Sequence, residues 1–192
     1  MRGFALSLLA LMTVAQPGGS PIRDSEAYAI YNGIMSSTWL ALDITEKVLL
    51  IQDVAEPTRV GPCELPIERM TDAWREAVAA HTKASANPGV WQENFTIKTP
   101  YRIVAKSELW GFFGPTVMDG WTPFFVKYPD ARGFIELSPV GFDTRTHAVI
   151  YVSHHCGGLC GGGGYGFLEK ENGVWRGSSP FPPGSSYCRW MS

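Results

Sequence analysis

Residues 147–169, HAVIYVSHHCGGLCGGGGYGFLE, constrain the fold of this chain more than any other stretch. The stretch begins with β-branched and aromatic residues, passes two cysteines separated by three residues, crosses a glycine run and becomes strand-like again at Tyr165. Residues of these types in this order are typical of two antiparallel strands. The stretch therefore predicts a β-hairpin whose tip carries both cysteines and the glycine run.

The register of this hairpin follows from placing Cys156 opposite Cys160. Stepping outward along both strands then gives aromatic, β-branched and opposite-charge pairs. The predicted pairs are Tyr151 with Tyr165, Val149 with Phe167 and His147 with Glu169. A one-residue slip would exchange the two faces of the hairpin, so these matched pairs favour the register, although extra glycines could hide a bulge.

Residues 1–15, MRGFALSLLALMTVA, have the pattern of a secretory signal peptide. Arg2 precedes an apolar run over residues 4–12, and the small residue Ala15 suits cleavage. The apolar run is shorter than the ~20 residues that a membrane span needs, and no later segment comes closer. We therefore expect a secreted or periplasmic protein whose mature chain has no membrane span.

The four cysteines predict two disulfide bonds, because exported proteins fold in oxidising compartments. Three pairings are possible. Proximity favours Cys156 with Cys160, since directly opposed strand residues lie within the Cα separation that a disulfide requires. This choice leaves Cys63 with Cys188, a bond that would hold the C-terminal tail of residues 179–192, which is rich in Pro, Gly and Ser.

The remaining residues predict a single α+β domain over residues 25–178, after a flexible leader of residues 16–24. Apolar residues recur at helical spacing in residues 27–35 and in residues 67–81, which predicts two N-terminal helices. A β-rich apolar run that begins at Lys47 predicts a strand.

From Gly133 onward the sequence predicts an antiparallel β-meander. We expect Phe142 to face His147 across a turn, which places Glu136 beside Ser153. One face of this meander is apolar and should pack on the N-terminal helices. Its members are Ile135, Leu137, Ala148, Ile150, Val152 and Leu168. Because Pro139 cannot donate a ladder hydrogen bond, we also expect an edge or a bulge at that residue.

The opposite face of the meander mixes polar and aromatic side chains. If the sheet curls, as it does in cystatin-like and NTF2-like folds, this face would line a pocket, although the comparison is by analogy only. The alternative is a solvated face that the tail partly covers. The candidate pocket residues are Glu136, Ser138, Tyr151, Ser153, His155 and Tyr165.

The glycine run does not predict a cofactor. Gly161, Gly163 and Gly166 match G-x-G-x-x-G, but a dinucleotide fingerprint needs a helix to follow, and here a strand follows. No Walker lysine follows the glycines. We therefore expect no cofactor.

The histidines and cysteines of the hairpin suggest two further hypotheses. His154, His155, Cys156 and Cys160 could bind a transition metal, but adjacent histidines on a strand point to opposite faces. The two cysteines could also have a redox role, because short exposed disulfides are reducible. Against that role, the sequence lacks the helix N-terminus that lowers the thiolate pKa in C-x-x-C enzymes.

Hydrolysis is the last chemical hypothesis, with Glu136, Ser138 or His155 as acid, nucleophile or base. No G-x-S-x-G or H-E-x-x-H signature supports it. His81, on the apolar face of the second predicted helix, is interpreted as a packed core histidine. The sequence thus leaves an enzymatic activity uncertain and favours a protein that is not an enzyme.

The formal net charge of -2 gives no basic footprint of the kind that nucleic-acid-binding proteins carry. We therefore expect a small molecule or a protein as the partner, and no nucleic acid.

The C-terminal third carries a pattern of short motifs. They are S-x-V-G-F at residues 138–142, A-x-x-Y-V at residues 148–152, C-G-x-L-C-G-x-G at residues 156–163, L-x-K at residues 168–170 and G-x-W at residues 173–175. This pattern resembles the tail of a family of uncharacterised bacterial exported proteins and covers about a fifth of the chain. The resemblance implies export from a bacterial cell and implies no activity. The sequence thus suggests an exported, disulfide-stabilised binding or interaction module, with a hydrolase or a metal-binding protein as the alternative.

Overall fold

The structure is a computed structural model that describes residues 22, 24–36, 47–57, 64–92, 95–114, 119–182 and 188–192. The predicted signal peptide, most of the predicted leader and Cys63 lie outside the described residues. No helix among these residues is long and apolar enough to cross a membrane.

Helices and strands are mixed, as the predicted α+β class requires. The helices are α1 (Ser25–Ser36), α2 (Asp72–Ser85), α3 (Lys106–Trp110) and α4 (Trp121–Lys127), and a 3-10 helix, Ile67–Arg69, precedes α2. The strands are β1 (Val48–Gln52), β2 (Tyr101–Val104), β3 (Ala131–Leu137), β4 (Gly141–Phe142), β5 (His147–Gly157), β6 (Cys160–Glu171), β7 (Val174–Ser178) and β8 (Trp190–Met191).

All eight strands belong to one open sheet. The order is β2-β1-β3-β5-β6-β7, with β4 paired to β5 and β8 paired to β6. The pairs from β3 to β7 are antiparallel, whereas β1 is parallel to both β2 and β3. The sheet is therefore mixed, because the helical segments between β1, β2 and β3 are long enough to bring each chain back in the same direction. It is also uncurled, unlike the cystatin-like or NTF2-like alternative.

The β5–β6 hairpin has the predicted register. Its pairs include Tyr151 with Tyr165, Val149 with Phe167 and His147 with Glu169. The ladder shifts by one residue next to the tip, where Gly157 faces Cys160, so the predicted placement of Cys156 directly opposite Cys160 is wrong. Cys156 lies in this bulge and forms a disulfide with Cys160 at a Cα separation of 5.0 Å, as predicted.

The β3–β5 pair also has the predicted register, but the β4–β5 pair differs from it by one residue. Phe142 faces Ala148, so the prediction that it faces His147 is wrong. The slip occurs where Pro139 separates β3 from β4, and the Oγ of Ser138 there accepts the backbone N–H of Tyr151. A proline that cannot donate to the ladder thus causes the bulge that its position predicts.

The helices pack on both faces of the sheet. The predicted apolar face of β3, β5 and β6 belongs to one hydrophobic cluster with Tyr31 and Ile30 of α1. On the other face, Trp74 of α2 packs in a cluster with Val149, and the clusters there also include α3 and α4. Only α1 covers the face that we expected both N-terminal helices to cover.

Candidate functional site

The polar face of the sheet is covered rather than open. Glu136, Ser138, Tyr151, Ser153 and His155 are all buried, and Tyr165 is half-buried. Helices α2, α3 and α4 lie over this face, and the side chain of Trp190, from the edge strand β8, also reaches it. Neither the open pocket nor the solvated face predicted from the sequence describes it.

A carboxylate lies at the centre of one buried polar cluster. Glu136 Oε2 accepts the hydroxyl of Ser153 at 2.8 Å and lies 2.8 Å from Nε2 of His155. Its other oxygen accepts the indole N–H of Trp110 at 3.2 Å. Because both carboxylate oxygens have hydrogen-bond partners, the desolvation of this fully buried acid is compensated.

A second buried cluster joins α2 to the bulge after β3. Nε2 of His81 lies 2.8 Å from Oγ of Ser138, which also accepts the N–H of Tyr151 and donates to the carbonyl of Pro139. A serine beside a histidine has the composition of a nucleophile and its base. Here both side chains are almost fully buried and the serine is bonded to backbone groups, so His81 is a packed core histidine, as predicted.

The C-terminal strand pairs with the edge of the glycine run. β8 pairs with Gly162 and Gly163 of β6, and the indole N–H of Trp190 donates to the hydroxyl of Tyr151 at 2.9 Å. Cys188, just before β8, is disulfide-bonded, while its predicted partner Cys63 lies outside the described residues. The glycine run therefore accommodates the tail, a role that its sequence alone did not indicate.

One end of the sheet carries a groove that no part of the sequence predicts. β1 and β3 begin there side by side, and the tip of the β5–β6 hairpin reaches the same end because β5 runs antiparallel to β3. The groove has a volume of about 480 Å³. We call it the tip groove, and its lining includes Lys47, Phe125, Pro129, Arg132, Cys156 and Cys160.

The tip groove is electropositive. Among the described residues, Lys47 and Arg132 are its charged lining residues, and none of the described carboxylates lines it. Neither cation forms an ion pair with another residue in the described ranges. The other lining residues offer an aromatic ring, Phe125, a proline, Pro129, and the Cys156–Cys160 disulfide. This composition suits a ligand with an anionic group and an apolar body.

A narrow crevice adjoins the tip groove and shares Arg132 and Cys156 with it. Its volume of about 10 Å³ holds no more than a water molecule. Both His154 and His155 line it. Burial and the adjacent His155 lower the pKa of His154, and a hydrogen bond to the backbone of Gly162 opposes that change in part.

The hypothetical metal set of the hairpin is not assembled. Cys156 and Cys160 are bonded to each other, so neither sulfur is a free thiolate. The ring of His155 is directed to Glu136, on the face opposite to that of its strand neighbour His154. Over the described ranges, no group of three or more His, Cys, Asp or Glu residues could hold a metal ion.

Comparison with models of known protein families, with curated proteins and with solved structures gives no match. The function is therefore inferred from the chemistry of the tip groove.

Proposed function

We propose that this protein is an exported, disulfide-stabilised binding module whose tip groove takes a small organic anion. The observation that carries the proposal is the position of Lys47 and Arg132, two cations without an ion-pair partner in the described structure, on the wall of a concave site. A carboxylate or sulfonate supplies the complementary charge. The apolar part of the ligand packs on Phe125 and Pro129.

The size of the groove fits this class of ligand. Its volume of about 480 Å³ lies inside the ~300–1,000 Å³ that small-molecule sites occupy. Exposed cations on a convex surface gain little from an anion, because water screens the charges. In the tip groove two cations act on the same anion, and their attractions add.

Export is part of the proposal. The Cys156–Cys160 disulfide is compatible with an oxidising compartment outside the cytoplasm. The signal-peptide pattern of residues 1–15 and the resemblance of residues 138–175 to bacterial exported proteins support the same location.

Binding is favoured over hydrolysis. The candidate acid Glu136 and the candidate nucleophile Ser138 are fully buried and bonded to neighbouring protein groups. The charged residues of the tip groove are Lys47 and Arg132, which attract an anion, and neither Glu136 nor Ser138 lines the groove.

The proposal is tested with two probes that differ in charge. The dye 8-anilinonaphthalene-1-sulfonate carries a sulfonate, and N-phenyl-1-naphthylamine has the same ring system without it. Binding to the folded full chain is measured by fluorescence titration. We expect the double variant Lys47→Gln/Arg132→Gln to weaken binding of the sulfonate by about tenfold and to leave binding of the neutral amine unchanged.

The control removes two positive charges elsewhere. Lys83 and Arg176 are exposed, on α2 and β7 respectively, and do not line the tip groove. Lys83→Gln/Arg176→Gln therefore has the same net charge as the test variant and should bind the sulfonate like the parent protein. Equal losses in the two double variants, or no saturable binding by the parent, would refute the proposed function.

A further inference from the structure

We infer that the Cys156–Cys160 disulfide is redox-active and exchanges with small thiols that carry a carboxylate. The inference rests on the proposed function, because it uses the tip groove to recognise the carboxylate. It adds the class of ligand and a reaction. Three observations support it: the position of the disulfide, the cations beside it and the small contribution of the bond to the fold.

The disulfide is accessible to a thiol in solution. Cys160 is exposed and Cys156 is half-buried, and both residues line the tip groove. Exchange begins when a thiolate attacks one sulfur, so the rate depends on such access. A groove that ends at the disulfide allows a small thiol to reach it.

Lys47 and Arg132 supply the positive charge that a helix N-terminus provides in C-x-x-C enzymes. Cysteine pairs in redox enzymes depend on a nearby positive charge, from a helix N-terminus or a cationic side chain, to stabilise the thiolate. Here the two cations line the same groove as Cys156 and Cys160. They attract an anionic thiol before the attack and stabilise the thiolate that leaves after it.

The hairpin does not depend on this bond. The β5–β6 ladder pairs every residue from His147 to His155 without a shift, up to the bulge at the disulfide. The bond joins residues only four positions apart, so opening it releases little chain entropy. The protein can therefore alternate between the disulfide and the dithiol with its sheet intact.

The reaction balances with two molecules of thiol. One thiolate attacks Sγ of Cys160, a mixed disulfide forms, and Cys156 leaves as a thiolate that takes up a proton. A second thiolate attacks the sulfur of the bound thiol, which releases Cys160 as a thiolate and forms the disulfide of the small molecule. The two thiols are oxidised by two electrons, and the protein disulfide is reduced by two.

The test compares an anionic thiol, 3-mercaptopropionate, with a neutral thiol, 2-mercaptoethanol. Reduction of each disulfide in the folded full chain is followed by alkylation and peptide mapping, and each rate is divided by the thiolate concentration. We expect the anionic thiolate to reduce Cys156–Cys160 about tenfold faster than the neutral one, at low ionic strength. This preference should fall to about one in Lys47→Gln/Arg132→Gln and persist in Lys83→Gln/Arg176→Gln.

Two results would overturn the inference. One is an anionic preference that is absent in the parent or equal in both double variants. The other is a Cys156–Cys160 bond that is reduced no faster than the bond of Cys188. The proposed function is judged separately, on sulfonate dye binding to the parent protein and to Lys47→Gln/Arg132→Gln without added thiol, where no exchange takes place. Dye binding without charge-selective exchange refutes the redox inference and leaves the binding function standing.

Discussion

The indole N–H of Trp190 donates to the hydroxyl of Tyr151 across 2.9 Å, and this contact holds the ring of Trp190, from the edge strand β8, on the polar face of the sheet. The contact is possible because β6 has no side chain at Gly163. A Cβ at that position would lie 2.6 Å from Nε1 of Trp190 and 2.9 Å from the carbonyl oxygen of Val152. The glycine at this position therefore determines whether the ring of Trp190 can reach the polar face.

Gly163→Ala is expected to displace β8 and to lower the free energy of unfolding by about 1–3 kcal/mol, as overpacking does. Urea denaturation measures the loss, and the emission of Trp190 should shift to longer wavelength as its ring is exposed. Gly177→Ala in β7 is the control, because a Cβ there has no neighbour within 4 Å. Similar losses in the two variants would show that the tail does not depend on Gly163.

A second glycine holds α2 against the sheet. A Cβ at Gly141 would lie 2.1 Å from the backbone nitrogen of His81 and 2.4 Å from the carbonyl oxygen of Ala77. Gly141→Ala therefore requires the helix to move, and we expect a loss of about 2–3 kcal/mol in urea denaturation. In contrast, Gly33→Ala in α1 meets no atom within 4 Å and should stabilise the protein by about 0.5–1 kcal/mol. Destabilisation by Gly33→Ala would contradict this interpretation.

The sequence predicts the β5–β6 register because the information is local. Each strand places matched side chains opposite the other, and a one-residue slip would break every pair. The predicted register between β4 and β5 is wrong by one residue. The bulge at Pro139 adds one residue that a regular alternation of side chains does not include. The proline indicated a bulge but not which pairs lay beyond it.

The sides of the sheet that the two N-terminal helices cover could not be predicted. An amphipathic pattern shows which side of a helix is buried, and it does not show which face of the sheet covers that side. α1 and α2 have such patterns and pack on opposite faces. The polar face was expected to be open for this reason.

The tip groove was beyond sequence reasoning for a different reason. Lys47, Arg132 and Cys156 are far apart in the chain and become neighbours because β1 pairs in parallel and β5 antiparallel with β3. The composition of a single strand does not indicate which strands pair with it in a mixed sheet. A lysine before one strand and an arginine within another carried no local signal of a shared site.

The buried carboxylate of Glu136 should be costly to remove. Glu136→Ala removes the acceptor of His155 and Ser153, whereas Trp110 keeps Oε1 of Gln52 at 3.1 Å, and breaking a buried charged cluster costs about 3–5 kcal/mol. The loss is measured as the change in unfolding free energy at neutral pH. Glu171→Ala, which removes an exposed acid from β6, should change it by less than about 1 kcal/mol. A loss for Glu136→Ala as small as that of the control would contradict a structural role for the cluster.

The disulfides should contribute unequally to stability. Cys156→Ser/Cys160→Ser opens a loop of five residues and is expected to cost roughly 2 kcal/mol. The predicted Cys63–Cys188 bond closes a loop of 188 − 63 + 1 = 126 residues, for which the same relation gives roughly 5 kcal/mol. Guanidinium denaturation of the two double serine variants measures both losses. A larger loss for the hairpin pair would contradict the view that its ladder is independent of the disulfide.

Asp143, in the turn between β4 and β5, should make the free energy of unfolding depend on pH in the acidic range. Asp143 accepts the backbone N–H of Thr146 at 2.9 Å and that of His147 at 2.8 Å. Burial by itself raises the pKa of Asp143. The backbone hydrogen bonds from His147 and Thr146 lower this pKa, and so do the hydrogen bonds from the side chains of the same two residues. The net result is a pKa below the ordinary value of 3.8.

A folded-state pKa below the unfolded one means that the charged form stabilises the fold. This contribution is complete above the unfolded value of about 3.8 and is lost as the pH falls through the lower, folded value. Asp143→Asn removes the charge and should cost about 1–2 kcal/mol in urea denaturation at pH 6. The difference between parent and variant should stay constant down to about pH 4 and then shrink. Asp72→Asn, at an exposed carboxylate on α2, should produce no such convergence, and a constant difference for Asp143→Asn down to about pH 2 would contradict the assignment.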